Sequence, residues 1–236
     1  MKTLSMILAA LATLALGAFF LLYSSLDAIV KKGIEKYGSE IALVSISVDK
    51  VKLSPTNGLG VISSLTIDNP KGFKTAYAAS VGTIEIALEP TSIAKDVILI
   101  HKLAVLAPDI HYESSGAGSN FDAIQRNVNQ SLGSKHQNKS PGKKMIIETL
   151  SIHDAKAHYS PALMQGKEIE LSLPNIDLHN IGKDKGGATS GEVTKAIIDA
   201  LSSQLTKSVG RAAKSAVESV GKAAKGLGSS MKEMFI

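Results

Sequence analysis

The sequence predicts an α+β protein: an N-terminal transmembrane helix, a strongly twisted, mostly antiparallel β-sheet forming a partial groove, and a C-terminal amphipathic helix. Three observations predict it. No charge occurs from Thr3 to Ser25, apolar residues alternate with a period near 2 between Ile41 and Ile181, and Val193, Ile197, Leu201, Leu205 and Val209 recur every fourth residue. The chain divides into an anchor at 1–25, an amphipathic helix at 26–38, a β domain at 39–182 with a flexible linker at 133–144, and a basic helix with a frayed tail at 183–236.

At about 1.5 Å per residue, the run Leu4 to Leu22 spans roughly a 30 Å hydrocarbon core. A cleaved signal peptide is the alternative, with Lys2 before the apolar run and Ala15-Leu16-Gly17 as the small-residue site. Cleavage there would leave Phe19 to Leu22 as an apolar new terminus. Leu26, Ile29, Val30, Gly33, Ile34 and Tyr37 then follow one helical face, opposite Asp27, Lys31, Lys32, Glu35 and Lys36. Lys31, Lys32 and Lys36 are the expected contacts with anionic headgroups. Their number just after the span argues against export of the body by the positive-inside rule.

In the β domain, Val44, Ile46 and Val48 alternate, and the phase slips across Asp49 and Lys50 to Val51 and Leu53, as a bulge or sharp twist produces. Pro55 to Gly58 is a turn. Val61 to Ile67 and Ile84 to Leu88 are strands, Thr91 to Asp96 a helical turn, and Val97 to Leu106 a strand region continuing past Pro108 to Tyr112 with another slip. Ser119 or Asn120 caps a helix over Phe121 to Leu132. After the linker, Met145 to Tyr159 and Glu168 to Ile181 complete the sheet. Thr189 and Glu192 fit a capping box for the last helix, whose lysines allow it either to cover the sheet or to lie on a membrane. Beyond Gly210 the glycine content predicts fraying.

Composition narrows the function classes. Aromatics make up 4% of a chain that is 44% hydrophobic, with no Trp, which suits a broad aliphatic sheet. With no Cys there is no disulfide or thiolate chemistry. The net charge of +5 is dispersed and only two residues are Arg, which argues against nucleic acid as a partner. His153 and His158 fall on opposite faces of a regular strand and His136 lies in the linker, so neither a metal site nor a cofactor is expected. No nucleophile elbow, phosphate loop or His-Glu-x-x-His helix occurs, so no catalytic residue is expected and the chain reads as a non-enzyme.

The strand Leu65-Thr66-Ile67-Asp68 followed by the turn Asn69-Pro70-Lys71-Gly72-Phe73 is similar to the N-terminal region of AsmA-like proteins. The strand Val81 to Leu88, Thr91-Ser92-Ile93, Ala107-Pro108-Asp109-Ile110 and Asn120-Phe121-Asp122 follow in the family's order over residues 40–132. The resemblance implies a single-pass anchor in a bacterial inner membrane, a body in the periplasm, and a β-groove concerned with phospholipid transport or outer-membrane integrity. It marks Asn69, Pro70, Gly72 and Phe73 as the motif turn. Many such proteins are several times longer, so a body this short implies assembly with further copies or larger envelope proteins.

An aliphatic one-layer sheet needs a cover, and membrane lipids are the leading partner, with Ile84, Ile86, Leu88, Leu103 and Val105 as the lining. The alternative is a structural or assembly protein whose sheet edge and C-terminal helix dock a protein partner.

Overall fold

The computed structural model describes residues 26–133, 143–161 and 168–234, with the side chains of the last helix described to residue 215. In chain order the elements are α1 (residues 26–42), β1 (Ile46–Ser54), β2 (Leu59–Ile67), β3 (Ala79–Leu88), β4 (Val97–Leu106), β5 (Asp109–Ser115), β6 (Gly118–Ser119), α2 (Asn120–Gly133), β7 (Lys144–His153), β8 (Lys156–Ser160), β9 (Ile169–Ser172), β10 (Ile176–Ile181) and α3 (Ser190–Met234). The expected anchor at 1–25 and most of the linker at 133–144 lie outside the described residues. Among the described residues no helix is long and apolar enough to cross a membrane.

β1, β2 and β3 form an antiparallel meander. β4 and β5 lie end to end along the other side of β3, β7 and β8 continue beside them, and β10 and β9 close the far edge. The expectation of a mostly antiparallel sheet holds except at its centre, where β4 pairs with β7 and β5 with β8 in parallel. Parallel neighbours need a long crossover, and α2 with the following segment supplies it.

β2 and the β4–β5 and β7–β8 junctions break along one line across the sheet. Ser64 (φ 53°), Ala107 (φ 44°) and Asp154 (φ 55°) adopt left-handed backbone there. The line begins at Asp49, between the pairs Val48↔Leu65 and Lys50↔Ser63. These are the phase slips of the sequence, aligned across strands. An irregularity in one strand would flip its apolar set outward. The aligned slips instead keep Val48 and Val51, or Ile152 and Ala157, buried on the same face while the sheet curls.

The helices cover that face. Val30 and Ile34 of α1 pack on Val48, Val51, Ile62, Val81 and Ile84. Val193, Ile197 and Leu201 of α3 pack on Ile147, Leu150, Ile152 and Ile176. Farther along α3, Ile198 and Leu205 join Phe121, Ile124 and Val128 of α2 over Ile110, Ala157 and Leu171. Leu150 and Leu205 have no exposed surface, and burying each stabilises the fold by roughly 1.5–3 kcal/mol. Of the two placements open to the C-terminal helix, covering the sheet is the one observed.

Both capping expectations are met. Ser119 rather than Asn120 closes the box at α2, its Oγ accepting from Asp122 N at 3.0 Å while Asp122 Oδ2 accepts from Ser119 N at 2.8 Å. At α3, Glu192 Oε2 accepts from Thr189 N at 2.8 Å and Thr189 Oγ1 accepts from Glu192 N at 3.2 Å. The α3 backbone stays helical to Met234, past Gly210, where fraying was expected. Alanine, the best helix former, alternates with the glycines at Ala212, Ala213, Ala216, Ala223 and Ala224 and offsets their cost.

Candidate functional site

Two rows of side chains cross the helix-covered face. Register aligns Val51, Ile62, Ile84, Val105, Ile152 and Ile176 in one row, and Leu53, Gly60, Ile86, Leu103, Leu150 and Leu178 in the next. The ends of both rows lie under α1 or α3. Leu103 and Val105, in the middle, touch the apolar clusters of both helices. Of the expected lining, Ile84 is buried, while Ile86, Leu88, Leu103 and Val105 are half-buried. They form a seam between α1 and α3. Gly60 leaves a gap in the second row, into which Leu53 leans: a Cβ on Gly60 would lie 2.4 Å from Leu53 Cδ2.

The polar face of α1 differs from the expectation. Asp27, Lys31, Glu35 and Ser39, four residues apart, form one stripe along the free edge of β1. Asp27 Oδ1 accepts from Leu53 N at 2.8 Å, Glu35 Oε1 from Val48 N at 3.0 Å, and Ser39 Oγ from Ile46 N at 2.9 Å. Lys31 donates to the Val48 carbonyl and pairs with Glu35 at 3.0 Å. The Val48 amide and then Lys31 hold the Glu35 carboxyl below its usual range. Lys31 therefore serves the sheet edge, while Lys32 and Lys36 are exposed. Ile29 and Tyr37, assigned to the apolar face, are each 58% exposed, because the helix turns that stripe toward the edge instead.

The motif turn is a latch. Asn69 Nδ2 donates to the Thr75 carbonyl at 2.7 Å, closing the turn, and Asn69 Oδ1 accepts from Asn120 Nδ2 at 2.8 Å. Asn120, fully buried, also donates to the His111 carbonyl at 2.7 Å and accepts from the Glu113 and Phe121 amides at 3.1 and 3.0 Å. The turn and the start of α2, distant in sequence, are one network with a structural role. Phe73 is half-buried, and Gly72 has the positive φ of 99° that a side chain disfavours.

On the outward face of β5 and β8 lies a cluster that sequence reading missed. His111 and His158 stack with centroids 5.1 Å apart. Both Nε2 atoms face Asp109, at 3.9 and 3.1 Å, and both Nδ1 atoms face Glu168, at 3.3 and 3.8 Å. Tyr77 donates to Asp109 Oδ2 at 2.7 Å, and that bond pushes the phenol's pKa up. Asp109 Oδ1 is buried without a hydrogen bond, although His158 Nε2 stands close by. The parallel pairing of β5 with β8 places the rings side by side. His153 and His158 also share the outward face, because the break at Asp154 interrupts the alternation that had separated them. His153 instead meets Asp177 at 2.9 Å. Among the described residues no group of three or more His, Asp or Glu is arranged to hold a metal ion.

A shallow cavity of about 540 Å³ opens near the Ser54 to Leu59 turn. Its walls include Lys52, Val61 and Glu85 of one outward row and Leu59, Ala87 and Lys102 of the next. Lys102 pairs with Glu85 at 3.0 Å across its floor. The turn beside it needs glycine at position 58, since a Cβ there would lie 1.9 Å from the Leu88 carbonyl oxygen.

No family model matches the chain, and no curated protein matches it.

Proposed function

We propose that this is a non-catalytic, AsmA-like protein tethered to the bacterial inner membrane, with its β domain in the periplasm and the seam between α1 and α3 binding a phospholipid acyl chain. The observation that carries the reading is the incomplete roof over Ile86, Leu103 and Val105, with Leu88 beyond them, in rows whose members Val51, Ile62, Ile84, Leu150, Ile152 and Ile176 are buried. An apolar strip left half-covered favours an apolar occupant. α1 begins at the Leu53 end of β1 and runs to the Ile46 end, since Asp27 sits beside Leu53 and Ser39 beside Ile46, so the Leu53–Ile86–Leu103 row is the one nearer the anchor. Acyl chains from the anchor's membrane would therefore enter at the seam's near end.

Native mass spectrometry of the full-length chain released from detergent tests this. Stoichiometric phospholipid is expected on the wild type and none on Ile86→Asp, with Ile86→Trp, which fills the seam without charge, also reduced. Full lipid recovery by both variants, with their circular dichroism intact, would sink the proposal.

The assembly reading has one observation in its favour. α1 blocks the β1 edge, so a partner strand has the β10 edge as its entry, where Asp177 and His179 are exposed. Crosslinking that captures a stoichiometric protein without bound lipid would favour it.

A further inference from the structure

We infer that the loops at the α1 end of the sheet form a basic rim that docks onto an anionic lipid surface, so that the strands stand upright on the membrane. This rests on the membrane tether proposed above, and not on the lipid seam.

Strand directions decide which loops belong to that end. β1, β3 and β10 run toward it and β2, β4 and β7 run away, as the antiparallel and parallel registers require. Its connections are therefore residues 55–58, 89–96, 143 and 182–189, and α1 starts there. The 25 residues preceding α1, uncharged from Thr3 to Ser25, are joined to the body where α1 begins, at this end.

These loops carry Lys95, Lys143, Lys183 and Lys185, and β7 opens on Lys144, all exposed. Lys143 donates to the Ile93 carbonyl, which ties two of these loops together, Lys183 donates to Asn180 Oδ1 at 3.4 Å within its own turn, and Lys185 lies 3.7 Å from Glu192 Oε1 at the start of α3. The acids of these loops are Glu89, Asp96 and Asp184. Glu89 is engaged by the Thr91 amide and hydroxyl at 3.1 and 2.8 Å. At the opposite end of β1 to β3 the charges balance, Asp68 and Glu113 against Lys71 and Lys74, with Glu113 Oε2 accepting from the Lys74 and Thr75 amides at 2.7 and 2.8 Å. The lysine excess thus sits on the end where α1 begins. Leu59 on the adjoining turn is 54% exposed and Ile29 on the first turn of α1 is 58% exposed, which adds apolar contact at the same level. α1 itself climbs away along β1, so Lys36 lies higher than the rim.

The chain contains no cysteine, so single-cysteine variants label uniquely. Full-length Ala94→Cys (rim) and Ala117→Cys (far end), each carrying a fluorophore, would be reconstituted in vesicles of phosphatidylcholine, with or without phosphatidylglycerol. A trace of lipid with a nitroxide headgroup acts as quencher. The expected result is severalfold stronger quenching at the rim than at the far end, increased by phosphatidylglycerol and reduced by salt. Each lysine near an anionic surface contributes about a fivefold preference. Lys95→Glu with Lys183→Glu and Lys185→Glu should remove the phosphatidylglycerol increment, and the corresponding Gln variants should reduce it. Equal quenching at both positions, or an increment that survives the substitutions, overturns the rim. Failure of the wild type to float with vesicles overturns the tether and the rim together. A floating chain without rim quenching overturns the rim alone and leaves the lipid seam to its own test.

Discussion

Replacing Glu35 and Ser39 with alanine strips two acceptors from the β1 edge and leaves the apolar contacts of α1 in place. Glu35 accepts from the Val48 amide at 3.0 Å and Ser39 from the Ile46 amide at 2.9 Å. A hydrogen bond to a charged group contributes about 1.5–3 kcal/mol and a neutral one about 1. The Glu35 side chain is 29% exposed, so water would replace part of its bond and the larger figure is discounted. The pair should therefore cost about 2 kcal/mol, read as a lower urea midpoint without a changed slope. Residue-resolved hydrogen exchange is the sharper assay. The Ile46 and Val48 amides should exchange about tenfold faster or more, since about 1.4 kcal/mol corresponds to a factor of ten. The Leu53 amide, held by Asp27 at 2.8 Å, should change less. Glu35→Gln keeps a carbonyl acceptor and should recover most of the Val48 protection. Unaltered Val48 exchange in the folded double variant would refute the idea that α1 closes this edge. An opened edge also invites strand pairing between chains, so the double variant should associate more readily.

Asn120→Ala should cost more than about 3 kcal/mol, because it orphans the Glu113 and Phe121 amides and the His111 carbonyl at a fully buried position; a thermal melt within a few degrees of wild type would contradict this. Stability should fall in acid. Glu35 and Glu192 have folded-state pKa values below their ordinary 4.5, held down first by the Val48 and Thr189 amides respectively. A lowered carboxyl pKa stabilises the fold fully above the unfolded value, and that share is lost as pH falls through the folded value. Urea midpoints of Glu35→Gln with Glu192→Gln should therefore decline less than wild type between neutral pH and about pH 3. An equal decline would count against both hydrogen bonds as the source.

Much of the local architecture was legible because period and punctuation are local. The slip from Val48 to Val51, the box at Thr189 and Glu192, and the fourfold spacing of Val193 to Val209 each reached the structure as read. The α1 stripe was misjudged for a physical reason. Helical spacing shows that Asp27, Lys31, Glu35 and Ser39 share a face, but a polar face looks the same whether it meets water or the open edge of a strand. Alternation places Ile84, Ile86, Leu103 and Val105 on one surface once β3 and β4 pair. Their unequal burial was not legible, because it depends on how far apart α1 and α3 lie.

The sequence by itself determined the type and approximate place of most of the described elements, and that an aliphatic sheet face needs a cover. Those properties follow from backbone propensity, capping and side-chain period, all of which act over a few residues. Only the tertiary structure decided that β4 and β7 run parallel, that the slips at Ser64, Ala107 and Asp154 align into one line, and that His111 meets His158. Each of those depends on register between segments distant in the chain. Register is set by which whole faces can be buried together, a condition that no single segment contains.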